Sequence, residues 1–252
     1  MVWRAAIEGR AVPGFAMLTP LGAATLAAAR PVGFYVKRAY GVRAYVVQVD
    51  LNSPRVRVTI GTAKGFPHGA ESFRSLIRRY RPTAAVNGTY FCKSTLRPVG
   101  HIVVGGRPKV AGGLGVVLAL TLDRMAVLLR VPRWRRLSWQ GYMTAIGGGP
   151  TLVKSGKIWL NPKAEGFRDP HVLGRARRTA IGVRADVNKL VLVCTKAAVS
   201  LGRMARVMLS LGCTDAMCLD GGASTGMFYR GWTVIRPKSC LLYTSPSPRD
   251  RG

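Results

Sequence analysis

Acidic residues are scarce: 10 Asp and Glu stand against 39 Lys and Arg in 252 residues, a formal net charge of +29. Carboxylate chemistry therefore has few candidates, and each can be weighed singly. Histidine is rarer still, with three, and the five cysteines include no CxxC pair and no spacing with histidine that suits zinc. No metal site and no cofactor are expected. The uncharged run from Ala11 to Ala29 is interrupted by Pro13 and Pro20, which argues against a membrane anchor. Internal repeats, low-complexity tracts, basic helices and aromatic RNA-binding motifs are all missing, so nucleic acid is not an expected partner.

What remains is a chain with 48% hydrophobic residues, enough to bury a substantial core. The charge favours anionic partners such as phosphorylated glycans and anionic cell-envelope polymers; a base-composition bias toward Arg codons accounts for it equally well. Residues 1–29, with Arg4 and Arg10 ahead of the uncharged run and small residues at Ala27 to Ala29, read as a secretory signal, and the protein as secreted or held in the periplasm or envelope. Residues 240–252, beginning "CLLYTSPSPRD", resemble the in-frame translation of a sequencing-library adaptor, so the body of the protein is placed at 32–239. In an exported chain Cys213 and Cys218 are close enough in sequence to be bridged; small buried thiols are the commoner outcome.

Within the body, β-rich runs recur, among them "VRAYVVQVDL" from Val42, "GVVLALTL" from Gly115 and "TLVKSGKIWL" with a turn at Ser155-Gly156. Two segments carry the helical period. Phe73, Leu76, Ile77 and Tyr80 form one apolar face. Leu201, Met204, Ala205, Met208 and Leu211 form another, between a capping Ser200 and a terminating Gly212. Few helices and many closely spaced strands predict a single α+β domain with a mixed or antiparallel sheet core.

The acids then sort by context. Asp50, Asp123, Asp186 and Asp215 sit at strand ends or turns and need no catalytic explanation. Glu71 opens the first helix, where the dipole favours an acid. Glu165 and Asp169 lie in the irregular "NPKAEGFRDPHVLGRARR", which is long enough to fold over a site or to be a plain surface excursion. Asp220 differs from all of these. It follows "AMCL" at the mouth of a buried strand, and Gly221-Gly222 let a ligand or another backbone approach it closely.

The segments "AAVNGTYF" (84–91), "GGGPTLVKSGK" (147–157), "RTAIGV" (178–183) and "LDGGAST" (219–225) resemble, in order, the motifs of the phosphodiester glycosidase family. The resemblance spans roughly residues 42–236 and implies an exported α+β hydrolase that cleaves a sugar from a sugar-1-phosphodiester. It also implies a pocket built from Asn87, Gly88, Gly148, Gly149, Arg178, Thr179, Asp220, Gly221, Gly222, Ser224 and Thr225. The family usually continues past "WTVIRP" into a final strand, where this sequence has the adaptor-like tail.

Glycoside hydrolysis normally uses two carboxylates. A phosphate leaving group relaxes that demand, and the Arg178 guanidinium suits a phosphate geometrically. Hydroxyls of Thr179, Ser224 and Thr225, and backbone N–H groups at Gly147–Gly149 and Gly221-Gly222, can add donors. Asp220 is the carboxylate expected to act on the anomeric carbon or on attacking water, with Glu71, Glu165 or Asp169 as its partner if a second is needed, and Asn87 is expected to hold a sugar hydroxyl. His101 and His171 are weaker proton carriers. The rival reading is a non-catalytic binder of polyanions or envelope glycans with the same fold.

Overall fold

The computed structural model describes the backbone of residues 2–7 and, in full, residues 30–131 and 138–238. In chain order, β1 (Val2–Ile7) is followed by β2 (Val32–Ala39), β3 (Val42–Asp50) and β4 (Val56–Gly61). Helix α1 (Phe73–Tyr80) leads into β5 (Ala84–Asn87), then β6 (Ile102–Val104), β7 (Arg107–Val110), β8 (Val116–Thr121) and β9 (Ala126–Arg130). Next come β10 (Tyr142–Gly148), β11 (Thr151–Lys154), β12 (Lys157–Ile158) and the single-turn α2 (Pro170–Leu173). The chain continues through β13 (Thr179–Arg184), β14 (Lys189–Thr195), α3 (Leu201–Ser210), β15 (Asp215–Cys218), β16 (Met227–Tyr229) and β17 (Trp232–Ile235).

The strands form three sheets. One has seven strands in the order β12-β11-β15-β13-β14-β3-β2, and two have five, β7-β6-β10-β8-β9 and β17-β16-β5-β1-β4. Every strand ladder among the described residues is antiparallel. The expected core of sheet with a few packed helices is present, and its balance lies further toward β than an even α+β mixture.

The inner strands of the seven-stranded sheet are buried on both faces, which is why they read as nearly continuous apolar runs. In β3, Tyr45, Val47 and Val49 enter the largest core, while Val42, Ala44 and Val46 enter a second one beneath α3. In β14, Leu190, Leu192 and Cys194 alternate with Val191 and Val193 in the same way. Helix α3 closes the second core with Leu201, Met204, Ala205, Val207 and Met208, each buried Leu, Val or Met side chain contributing about 1.5–3 kcal/mol. The helix starts where expected, the Ser200 hydroxyl accepting the Arg203 N–H, and Gly212 follows it with φ of 79°.

Val2–Ile7 falls within the segment read as an export signal, yet it occupies an interior lane, antiparallel to both β4 and β5. Residues 8–29, Ser239 and the adaptor-like 240–252 lie outside the described residues. Cys92, Cys194, Cys213 and Cys218 are all free thiols, so Cys213 and Cys218 are not bridged.

Candidate functional site

Three segments converge on Asp220. β15 delivers it, pairing with β13 so that Cys218 opposes Ala180, and beyond the ladder the Leu219 N–H donates to the Thr179 carbonyl at 2.9 Å. The Asp220 N–H then donates to the Gly88 carbonyl at 3.0 Å, tying the loop after β5 to the same point. Asp220 remains partly exposed. Its Oδ1 accepts the Gly221 N–H at 2.9 Å, and Ser224 hydrogen-bonds the carboxyl. Desolvation nevertheless outweighs these bonds and pushes the carboxyl from an ordinary 3.8 up to about 6.

The two glycines after Asp220 serve different needs. A Cβ on Gly221 would lie 2.7 Å from the Arg177 carbonyl, so the residue is small because backbone passes there. Gly222 has open space around its Cα but a φ of +58°, which side chains resist. Its N–H donates to the Arg177 carbonyl at 2.8 Å. Close approach was the expected reason for this pair, and the close neighbour is the protein's own β13 entry.

Asn87 acts as a clamp. Its Nδ2 donates to the Asp220 carbonyl at 2.6 Å, while its Oδ1 accepts the Thr179 hydroxyl at 2.7 Å and the Gly226 N–H at 3.1 Å. The expected sugar contact is therefore corrected: Asn87 is 1% exposed and spends its oxygen on protein. Thr179 is likewise not a phosphate donor, because its hydroxyl proton goes to Asn87 in a fully buried setting.

Arg178 requires the largest correction. Its Nε donates to the Val199 carbonyl at 3.0 Å, Nη1 to Val172 at 2.9 Å, and Nη2 to Gly174. Only 3% exposed, the guanidinium is occupied in pinning α2 and the segment before α3, because a buried cation must find acceptors. The N–H groups of Gly147, Gly149, Gly221 and Gly222 are also taken. Gly147 donates to His101 at 2.6 Å and Gly149 to Cys218 at 2.7 Å, and the two donors after Asp220 are occupied as described. Gly148 is small because a Cβ would lie 2.6 Å from the Cys218 carbonyl.

Glu71 lies apart. It precedes the Ser72 cap of α1, pairs with Arg79, and accepts the Ser75 hydroxyl at 2.7 Å and the Lys64 N–H at 3.1 Å. Burial works to raise its proton affinity, but these bonds prevail and hold it below the ordinary range. It is a structural acid. Asp169 caps α2 through the His171 N–H at 2.8 Å and stays exposed. Glu165 accepts the Thr151 N–H at 2.8 Å. His101 is buried against Trp139, which lowers its proton affinity, and His171 is exposed on α2. Among the described residues, no group of His, Cys, Asp and Glu could hold a metal ion.

Tyr90 is the residue the sequence reading missed. Its hydroxyl donates to the Gly149 carbonyl at 2.8 Å and its ring meets Phe167 at 5.6 Å. Burial first, then the charges of Cys218, Asp220 and Asp169, keep the phenol neutral, with Arg178 opposing. It thus stands within electrostatic reach of both Asp220 and Asp169. Its place three residues after Asn87 in a quoted motif was the available signal. Thr89 and Thr225 carry buried hydroxyls with no partner among the described residues.

A partly exposed carboxyl of raised proton affinity at the end of a buried strand is the kind of group hydrolases use for acid/base work. The chain belongs to the phosphodiester glycosidase family, whose profile matches residues 80–245. Comparison with curated proteins gives no match. Solved structures with the same fold include three from different organisms. The zebrafish N-acetylglucosamine-1-phosphodiester alpha-N-acetylglucosaminidase catalytic domain, auto-inhibited by its pro-peptide, has a TM-score of 0.67 at 20% identity, over 86% of this chain and 77% of that one. A hypothetical protein from Synechocystis gives 0.66 at 15%, covering 85% of this chain and 60% of its own length. A presumed exported protein from Burkholderia pseudomallei gives 0.58 at 16%, over 81% and 74%.

Proposed function

We propose that the protein is an exported hydrolase that cleaves the glycosidic bond of a sugar-1-phosphodiester, releasing free sugar and a phosphomonoester. The observation that carries the reading is Asp220, a carboxyl retained at a strand mouth at the cost of desolvation, within a chain of this family. With the Arg178 guanidinium committed to carbonyls, the departing phosphate gains most from a proton, and a group titrating near 6 can supply one. Asp220 is the acid in this scheme. Asp169, the exposed acid that also bears on Tyr90, is assigned to the attacking water or the anomeric carbon. Asp169 takes a proton from the water as its oxygen bonds to C1, the bond from C1 to the bridging oxygen breaks, and its electron pair leaves with the phosphate, protonated by Asp220. Phosphorylated carbohydrate is the substrate class, and anionic envelope polymers are its natural source given the +29 charge.

The test is release of reducing sugar from a panel of sugar-1-phosphodiesters in water enriched in oxygen-18. Label in the sugar, lost in Asp220→Asn with folding retained, supports the scheme. Label in the phosphate places the break at phosphorus and overturns it. Turnover unaffected by Asp220→Asn removes Asp220 from the chemistry. Export is tested by fractionation and N-terminal sequencing of the mature chain.

A further inference from the structure

At the far end of β15 from Asp220, a shallow solvent-open cleft lies between β9, β11 and the loop that follows β12. Asp215 lines it, about 16 Å from Asp220 at the rise of an extended chain. Trp159 forms an apolar wall, 48% exposed, with the Lys154 ammonium 5.2 Å from its ring centre. Arg130 enters from β9, and Asn161, Glu165 and Asp215 add amide and carboxylate groups. The indole lies just past the edge strand β12, open to solvent beside these polar groups.

The cleft walls are already fixed. The Trp159 backbone N–H donates to the Leu152 carbonyl at 3.0 Å, and the Asn161 Oδ1 accepts the Ala164 backbone N–H at 3.3 Å. One Glu165 oxygen holds Thr151, and Asp215 Oδ1 holds the Ser155 N–H at 3.2 Å. Each carboxylate keeps its second oxygen, and Asn161 keeps its Nδ2, without a partner among the described residues. A flat apolar wall, acceptors for adjacent hydroxyls and two cations form one composite surface. It matches a sugar ring that carries an anionic substituent.

We propose that this cleft is a second carbohydrate site, which binds a saccharide unit bearing a phosphate or carboxylate group. The ring packs on Trp159, its hydroxyls donate to Glu165 and Asp215, and its anionic group meets Arg130 and Lys154. The site makes or breaks no bond and does not rest on the reaction proposed above. It would hold a glycan chain on the protein while another part is processed.

Isothermal titration of the full chain with glucose 6-phosphate, glucuronic acid, glucose and inorganic phosphate tests it. Both charged sugars should bind more tightly than glucose and at least tenfold more tightly than phosphate. Trp159→Ala should weaken all three sugars about tenfold. Lys154→Ala and Arg130→Ala should weaken the charged sugars at least fivefold and leave glucose unchanged. In the wild-type chain, one indole N–H resonance of the five tryptophans should shift with glucose 6-phosphate, and it should be the one missing from Trp159→Ala. Phosphate binding as tightly as its sugar ester, affinity indifferent to Trp159, or no sugar bound at 20 mM would each overturn the proposal. Asp220→Asn should bind these probes as the wild type does, which separates this result from the fate of the catalytic scheme.

Discussion

Asp220→Asn keeps the shape of the side chain and the Oδ1 acceptor for Gly221, but removes the charge. In the wild type, folding raises the carboxyl from 3.8 to about 6, so the native state binds its proton more tightly than the unfolded chain does. The associated stability is complete below pH 3.8 and is lost as pH rises toward 6, after which the loss is constant. At about 1.4 kcal/mol per pH unit this is about 3 kcal/mol, an upper value because the carboxyl is partly exposed to solvent. The asparagine variant lacks this dependence. Urea unfolding of both proteins between pH 4 and pH 7.5 should show the variant gaining up to about 3 kcal/mol on the wild type as pH rises. Taking the difference cancels the other groups, including Glu71, whose contribution runs the opposite way. The variant should also lose about 10² to 10⁴ in turnover, the usual worth of a general acid. Stability curves that stay parallel across this range would refute the desolvated carboxyl, and with it the reason for making Asp220 the acid.

Arg178→Ala removes donors to three carbonyls and should cost several kcal/mol at about 1.5–3 per charged hydrogen bond, and Arg178→Lys should recover only part of it; thermal unfolding reads both. Gly221→Ala forces a Cβ against the Arg177 carbonyl and should lower both the unfolding midpoint and turnover, whereas Glu71→Gln should lower stability and leave turnover unchanged. Of the four described cysteines, only Cys92, held near 6 by Ser94 and Thr95, should react quickly with a disulfide reagent in the native protein; burial raises Cys194 and Cys213 to about 12 and Cys218 to about 11. Deleting residues 1–29 takes β1 from between β4 and β5 and leaves two facing edges without hydrogen-bond partners. The shortened chain should aggregate on refolding. A soluble, fully active one would show that the lane is dispensable, as signal cleavage requires.

Local pattern alone specified much of this molecule. Helix α3 was legible from Ser200 to Gly212 because a cap, an apolar stripe and a glycine stop are all short-range features, and the Ser155-Gly156 hairpin for the same reason, both residues taking positive φ. The singular position of Asp220 could be read as well, since a carboxylate after an unbroken apolar run and before two glycines has few structural explanations. The destinations of polar side chains could not be read, because a hydrogen-bond partner is decided by whichever distant segment folds against it. Asn87 spends its amide on residues 92 to 139 positions away, and Arg178 on three carbonyls that no motif marks. Composition and periodicity thus determined a sheet core, mixed or antiparallel, with few helices, and marked Asp220 as the acid to weigh; the tertiary structure made every described ladder antiparallel. Only the packing of β5, β13 and β15 decided which of the motif's polar groups stay open to a substrate and which hold the acid in place.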